Sequence, residues 1–327
     1  MSAMTIRTLA TAFCLCLLGA SASPALAQLW EGKPARILVP YGAGSGPDAL
    51  ARDLADRLSK QTGKTLVVIN RPGANGNIGI DAAAKSPPDG FTLLMVDPLN
   101  FIVNPLVYGA SPFDWKTELK PVSSIADVSL FLFASTQKKF ASVADLIAFA
   151  RANPGKLNIG STGEGSVSHL GGERLGAHTG IQFARIAYRE IAQAIPALIT
   201  GEIDAMVFGP VPFINAVREG RVKPLAVGMP QRSPIYPDVP TMKEAGLPED
   251  LLIGTTFALY APGATPDALT GEIARLVARA LADPEMQAKF ARIGLTLRAS
   301  DGASLTAKLR SLEGPVQGLV TKLELRK

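Results

Sequence analysis

Twice in this chain a short apolar run ends in a glycine-rich turn that opens a helix. The first run is residues 36–40 (RILVP), followed by Tyr41-Gly42-Ala43-Gly44-Ser45-Gly46-Pro47-Asp48. The second is residues 157–160 (LNIG), followed by Ser161-Thr162-Gly163-Glu164-Gly165-Ser166. After the first turn, Leu50, Leu54 and Leu58 recur every four residues on one helix face. Residues 66–69 (LVVI) and 92–96 (TLLMV) then read as strands. Strand, helix, strand with short loops is a βαβ unit, which requires parallel strands and a right-handed crossover.

The pattern restarts further on. Ser142 with Asp145 three residues later resembles a capping box and opens a helix through Arg151; Asn153-Pro154-Gly155 stops it. A helix follows the second turn from about Val167. Residues 181–187, 203–208, 224–227 and 255–260 read as strands, and 211–219 as a helix. Thr241 with Glu244 caps a short helix. From Pro266 the tail is mainly helical, with Leu269, Ile273, Leu276 and Leu281 on one side. The expected fold is α/β with two lobes, each a mixed sheet flanked by helices, and a ligand cleft between them. No Pro, Gly and Ser-rich linker separates the lobes, so the crossings are expected at strands near 129–133 and 255–260. That assigns 28–128 plus 255–327 to the first lobe and 129–254 to the second.

Residues 1–27 read as a signal peptide to be removed. Arg7 supplies the positive start, residues 9–20 an apolar stretch too short to span a bilayer, and Ala25-Leu26-Ala27 the cleavage site. Cys14 and Cys16, the chain's two cysteines, both lie inside it. A mature chain without thiols suits an oxidising compartment, here the periplasm. Removing one Arg takes the net charge from +5 to +4, that is 32 basic minus 28 acidic residues. With that mild balance and no basic stripe interleaved with aromatics, nucleic-acid binding is not expected. With two His in all, neither is a metal site.

The chemistry that the turns support is anion binding. Glycines leave backbone N–H groups uncovered, and a helix N-terminus adds a favourable dipole. Tyr41, Ala43, Gly44 and Ser45 are the candidates for one carboxylate, with Asp48 orienting the loop by accepting backbone N–H bonds. Ser161, Thr162, Gly165, Ser166 and His169 are the candidates for the other end. A third glycine-rich element, residues 70–79 (NRPGANGNIG), brings Asn75 and Gly76 to the same cleft. Each feature also has a plainer reading: a turn needing glycine only for geometry, Ser166 as an N-cap, His169 as a hydrogen-bonded core residue. Two enzyme readings of the first loop fail on the residues. The spacing Gly44-x-Gly46-x-x-Ala49 fits a dinucleotide pattern, but Asn70 and Arg71 stand where an acid should meet the ribose. The nucleophile elbow fails because Ala43 and Pro47 flank Ser45. One anion cradle per lobe, both at strand C-terminal ends, faces the other across a cleft and suits a ligand with two anionic ends. Phe208, Phe213 and Ile191 are candidates for setting the cleft depth.

Several stretches resemble the Bug or TctC-type extracytoplasmic solute receptors, the binding components of tripartite tricarboxylate transporters. They are residues 33–44 (KPARILVPYGAG), 70–79, 88–94 (PDGFTLL), 154–158 (PGKLN), 166–170 (SVSHL), 201–204 (GEID) and 237–241 (PDVPT). They occur in family order and cover essentially the whole mature chain. The resemblance implies a monomeric periplasmic binding protein without catalytic residues or cofactor. It would capture a di- or tricarboxylate, aliphatic or aromatic, and deliver it to membrane transporter subunits of that type. Loop amides and hydroxyls within 41–48, 75–76 and 161–169 would hold the carboxyl groups. Three positions depart from the family pattern. Pro47 replaces a Thr and removes an N–H and a hydroxyl. Tyr188-Arg189-Glu190 replaces Tyr-Lys-Gly, with the bulkier Ile191 close behind. Gly209-Pro210 replaces Asp-Asn, which argues against an amino-acid ligand. Two other roles stay open: a sensing module for a membrane receptor, and a secreted hydrolase using Ser45 or Ser166 with His169 as base.

Overall fold

The computed structural model describes residues 29–109, 111–252 and 254–323. The expected signal peptide lies outside the described residues. The first sheet has six strands: β1 (Ala35–Val39), β2 (Leu66–Asn70), β3 (Thr92–Val96), β4 (Leu119–Val128), β10 (Thr255–Pro262) and β11 (Leu295–Leu297). Their order is β11-β4-β10-β3-β1-β2. The second has five: β5 (Phe131–Ser135), β6 (Leu157–Ser161), β7 (Phe183–Ala187), β8 (Ala205–Phe208) and β9 (Val222–Val227), in the order β7-β6-β8-β5-β9.

Each sheet contains the parallel unit that the repeated motif demands. Ile37 pairs with Val68 of β2 and Leu93 of β3, both parallel. In the second sheet β6 is parallel to β7 and β8. The mixed character comes from β10, antiparallel to both β3 and β4, and from β5, antiparallel to β8 and β9. Inner strands such as β3 are buried along their whole length, which is why they read as unbroken apolar runs.

Helices cover both faces of the first sheet. On one face, α1 (Gly46–Thr62) inserts Leu50, Leu54 and Leu58 beside Ile273 and Leu276 of α9 (Asp267–Leu281). On the other, α2 (Asn77–Ala84), α3 (Leu99–Tyr108) and α11 (Gly302–Lys322) supply Ile80, Phe101 and Leu309. The second sheet is covered by α5 (Val143–Ala152) and α6 (Val167–Thr179) on one face and α7 (Ile191–Thr200) on the other. The short elements are α4 (Trp115–Glu118), α8 (Ile214–Arg218) and α10 (Pro284–Ala291). No described helix is long and apolar enough to cross a membrane.

Three local expectations are corrected. Thr241 and Glu244 do exchange capping bonds, at 2.8 and 3.1 Å, yet the segment is a series of turns. Gly246, at φ 80°, and Pro248 end it after one turn. The helix expected at 211–219 is a 3₁₀ turn, Val211–Phe213, followed by the five-residue α8. Strand β4 was not anticipated, because Pro121, Ser123, Ser124 and Asp127 hide its periodicity. Ser124 Oγ donates to the Arg298 carbonyl at 2.6 Å, which lets a polar side chain sit inside the sheet.

Candidate functional site

The first and second glycine-rich turns leave the C-terminal ends of β1 and β6 and meet across a cleft of about 670 Å³ between the lobes. Tyr41, Ser45, Asn75, Gly76, Thr162 and Ser166 line it. Apolar side chains from both lobes, among them Val128, Phe208, Val211 and Phe257, form the walls. The two lobes touch at its rim: Tyr108 Oη donates to the Glu164 carbonyl at 2.8 Å.

In the first loop the Gly44 and Ser45 amides are already used. Asp48 Oδ2 accepts from Gly44 N at 2.9 Å, and its carboxylate also holds Arg52 and the Asn70 amide. Asp48 is buried, and although burial alone opposes ionisation, these donors hold its carboxyl below the usual range. It thus fixes the loop from behind. Ala43 and Gly44 are exposed and do not line the cleft. Ser45 is the N-cap of α1, yet its side chain makes no cap bond, and its buried Oγ finds no hydrogen-bond partner. Pro47 in the first turn of α1 lacks an N–H.

Tyr41 is held at the cleft floor. Its Oη accepts from Asp97 N at 3.0 Å and Asn100 Nδ2 at 3.2 Å, and its ring packs edge-on against Phe257. Burial, with Asp97 nearby, pushes the phenol far up, so it stays protonated. Asp97 is itself buried; burial lifts its carboxyl to about 6 despite bonds from the Thr255 hydroxyl and Leu99 amide. The third element is backbone under strain. Ala74 and Asn75 both have φ near +48°, followed by Gly76 at +90°. An asparagine network holds it: Asn100 and Asn104 both donate to the Asn75 carbonyl, and Asn75 Nδ2 donates to Asn104 Oδ1 at 2.7 Å.

The second loop is organised around Ser168 and His169. Ser168 Oγ accepts from Thr162 N at 2.9 Å, and Ser166 Oγ caps α6 by accepting from His169 N. His169 Nδ1 accepts from Gly165 N at 2.9 Å, which leaves the remaining ring proton on Nε2. Burial, with the Arg185 charge, lowers its pKa to about 4, so the imidazole is neutral beside Glu164 and Glu173. Ser161, Gly165 and His169 are buried behind the loop rather than lining the cleft. Ser161 Oγ is buried without a partner, as Ser45 Oγ is in the other lobe. The imidazole reaches neither the Ser45 nor the Ser166 hydroxyl, so the hydrolase pairing is not assembled. Among the described residues no three His, Cys, Asp or Glu are grouped to hold a metal.

Sequence reasoning did not assign Asp97, Asn100, Tyr108 or Glu190 to the cleft. Asp97 directly follows β3, in the sheet that also carries β1 and its loop, and that strand-end position was the available signal. Ile191 and Phe208 line the cleft as candidates for its depth, whereas Phe213 is fully buried in the second lobe.

Known proteins share this architecture. The Bordetella pertussis protein BugT is 34% identical over 280 residues, covering 84% of each chain. The R. palustris protein Rpa4515, solved with adipate, superposes with a TM-score of 0.86 at 29% identity, over 90% of this chain and 98% of that one. The periplasmic binding protein BugD superposes at 0.82 with 27% identity, over 90% and 99%. The model of the tripartite tricarboxylate transporter family receptors matches residues 50–309. A two-lobed α/β chain with paired strand-end loops, similar to these proteins along nearly its whole length, belongs to the TctC family of solute-binding receptors.

Proposed function

We propose that this protein is a periplasmic receptor that captures a small carboxylate between its lobes and delivers it to a tripartite tricarboxylate-type membrane transporter, without transforming it. The observation that carries this reading is the pair of loops at the N-termini of α1 and α6, which face one cleft. At the first, the buried Ser45 hydroxyl lines that cleft and no protein group satisfies it; at the second, Thr162 and Ser166 line it. A buried hydroxyl left without a partner costs about 1–3 kcal/mol, which an anion accepting its proton would relieve. Amides and a helix dipole at the same place favour negative charge. Ser45, Thr162 and Ser166, which line the cleft, with Tyr41 and the Asn75-Gly76 backbone as walls, would form the contacts. Asp48 and His169 would act as positioning residues, each holding a loop glycine amide. The adipate in Rpa4515 supports the ligand class.

Thermal denaturation with mono-, di- and tricarboxylates, aliphatic and aromatic, tests the reading. A ligand at 100 times its Kd adds about 2.7 kcal/mol, expected to raise Tm by a few degrees. No shift with any carboxylate, in protein shown by denaturation and mass analysis to release no small molecule, would sink it.

A further inference from the structure

Glu190 stands at the N-cap of α7, but its side chain makes no capping bond to that helix. Its side chain crosses the cleft instead, and its Oε2 accepts from Gly42 N of the first loop at 3.1 Å. The approach is close: a Cβ at position 42 would sit 2.4 Å from that oxygen. A carboxylate of the second lobe therefore holds an amide in the loop that the proposed function gives to one end of the ligand. No cation pairs with Glu190 among the described residues, and burial raises its pKa. Among the described residues three charged side chains line the cleft: the acids Asp97 and Glu190 and the base Arg189.

We infer that Glu190 sets the charge of the ligand: it takes the place of a second ligand carboxylate, so the cleft accepts a monocarboxylate whose far end is uncharged and offers an O–H or N–H. The inference rests on the carboxylate reading and narrows it. The ligand's one carboxylate goes to the second-lobe loop, at the N-terminus of α6. Its far end meets Glu190, whose oxygens accept a proton donor but repel an anion. Two carboxylates at one seat cannot both ionise without a large penalty, because like charges at close range disfavour the charged form. The same contact ties the lobes together, because Gly42 and Glu190 belong to different sheets' loops.

The experiment is calorimetric titration of the purified protein with two pairs of probes matched in length. One is 6-hydroxyhexanoate against adipate; the other is 4-(hydroxymethyl)benzoate against terephthalate. The expected result is that the better-fitting pair shows the monocarboxylate binding at least ten-fold tighter. Glu190→Ala should cut or reverse that preference at least ten-fold. Glu190→Gln, which keeps the shape and loses the charge, should move it the same way and guards against a folding defect in the first variant. If the wild type prefers the dicarboxylates, or if both variants keep its ratio, the role of Glu190 is overturned while carboxylate binding stands. In the first case Arg189 is the residue left to take the second carboxylate. If neither pair binds to wild type or variants and no other carboxylate of the thermal series does, the carboxylate reading fails and this inference with it.

Discussion

Asp97 and His169 are buried, one in each lobe, and burial moves them in opposite directions. Asp97 rises from the ordinary 3.8 to about 6, so its contribution to stability is full below about pH 4 and is lost as pH rises through about 6. His169 falls from 6.5 to about 4, so its contribution is full above about pH 6.5 and is lost as pH falls through about 4. Each is worth on the order of 2–3 kcal/mol across its window. The windows overlap, and in the wild type the two slopes largely offset each other. Removing either should expose the other. Asp97→Asn should make stability climb more steeply with pH between about 4 and 6.5, and His169→Gln should make it fall. Urea denaturation at a series of pH values measures both slopes; a change of the same sign in the two variants would contradict the assignment. The titration of Asp97 was not legible in the sequence, whereas a hydrogen-bonded core position was one of the readings open for His169 and is the one found. His169 drew attention because it is one of two histidines, but its function depends on Gly165 N lying 2.9 Å from Nδ1. No spacing rule encodes that contact.

Helix α6 shows what sequence pattern reveals and what it conceals. Its start was legible: a strand, a glycine-rich turn, then Ser166 as N-cap, all fixed by local chemistry. Its packing was less so, because glycines share with Leu175 the face against the sheet. A Cβ on Gly171 would lie 2.8 Å from Val207 Cβ of β8, and one on Gly176 would lie 2.7 Å from the Phe183 ring of β7. Periodicity of apolar residues cannot report a contact made by the absence of side chains. The same limit hid β4, where polar side chains find partners only across the sheet. By contrast, the Ser142–Asp145 box was readable because both of its bonds are local. Gly171→Ala follows from this geometry. Alanine improves helix propensity by about 1 kcal/mol, yet overpacking against Val207 costs about 1–3 kcal/mol. The variant should be no more stable than wild type and up to about 2 kcal/mol less so. A higher denaturation midpoint would mean that α6 shifts freely on the sheet, and the tight-packing account would fail.

At the scale of the whole molecule, the two-lobed fold was legible because the motif that specifies it occurs once per sheet. The cleft's contents were less so, since Tyr108, Asp97 and Glu190 arrive from elements far from the turns. All five strands of the second sheet come from the continuous stretch 131–227, whereas the first sheet has β10, residues 255–262, inserted between β3 and β4. As the chain is made, the second sheet's strands are all available while the first sheet is still split in two. Contacts that must wait for distant segments form late. Pulse-labelled hydrogen exchange during refolding should therefore find amides of β5, β6 and β8 protected before those of β3 and β10; simultaneous protection would refute this order. Until β10 slots in, β3 and β4 each present an unpaired, largely apolar edge, the kind of surface that escorts of unfolded chains recognise. The last quarter of the sequence is thus the closing piece, and the receptor spends most of its synthesis half built.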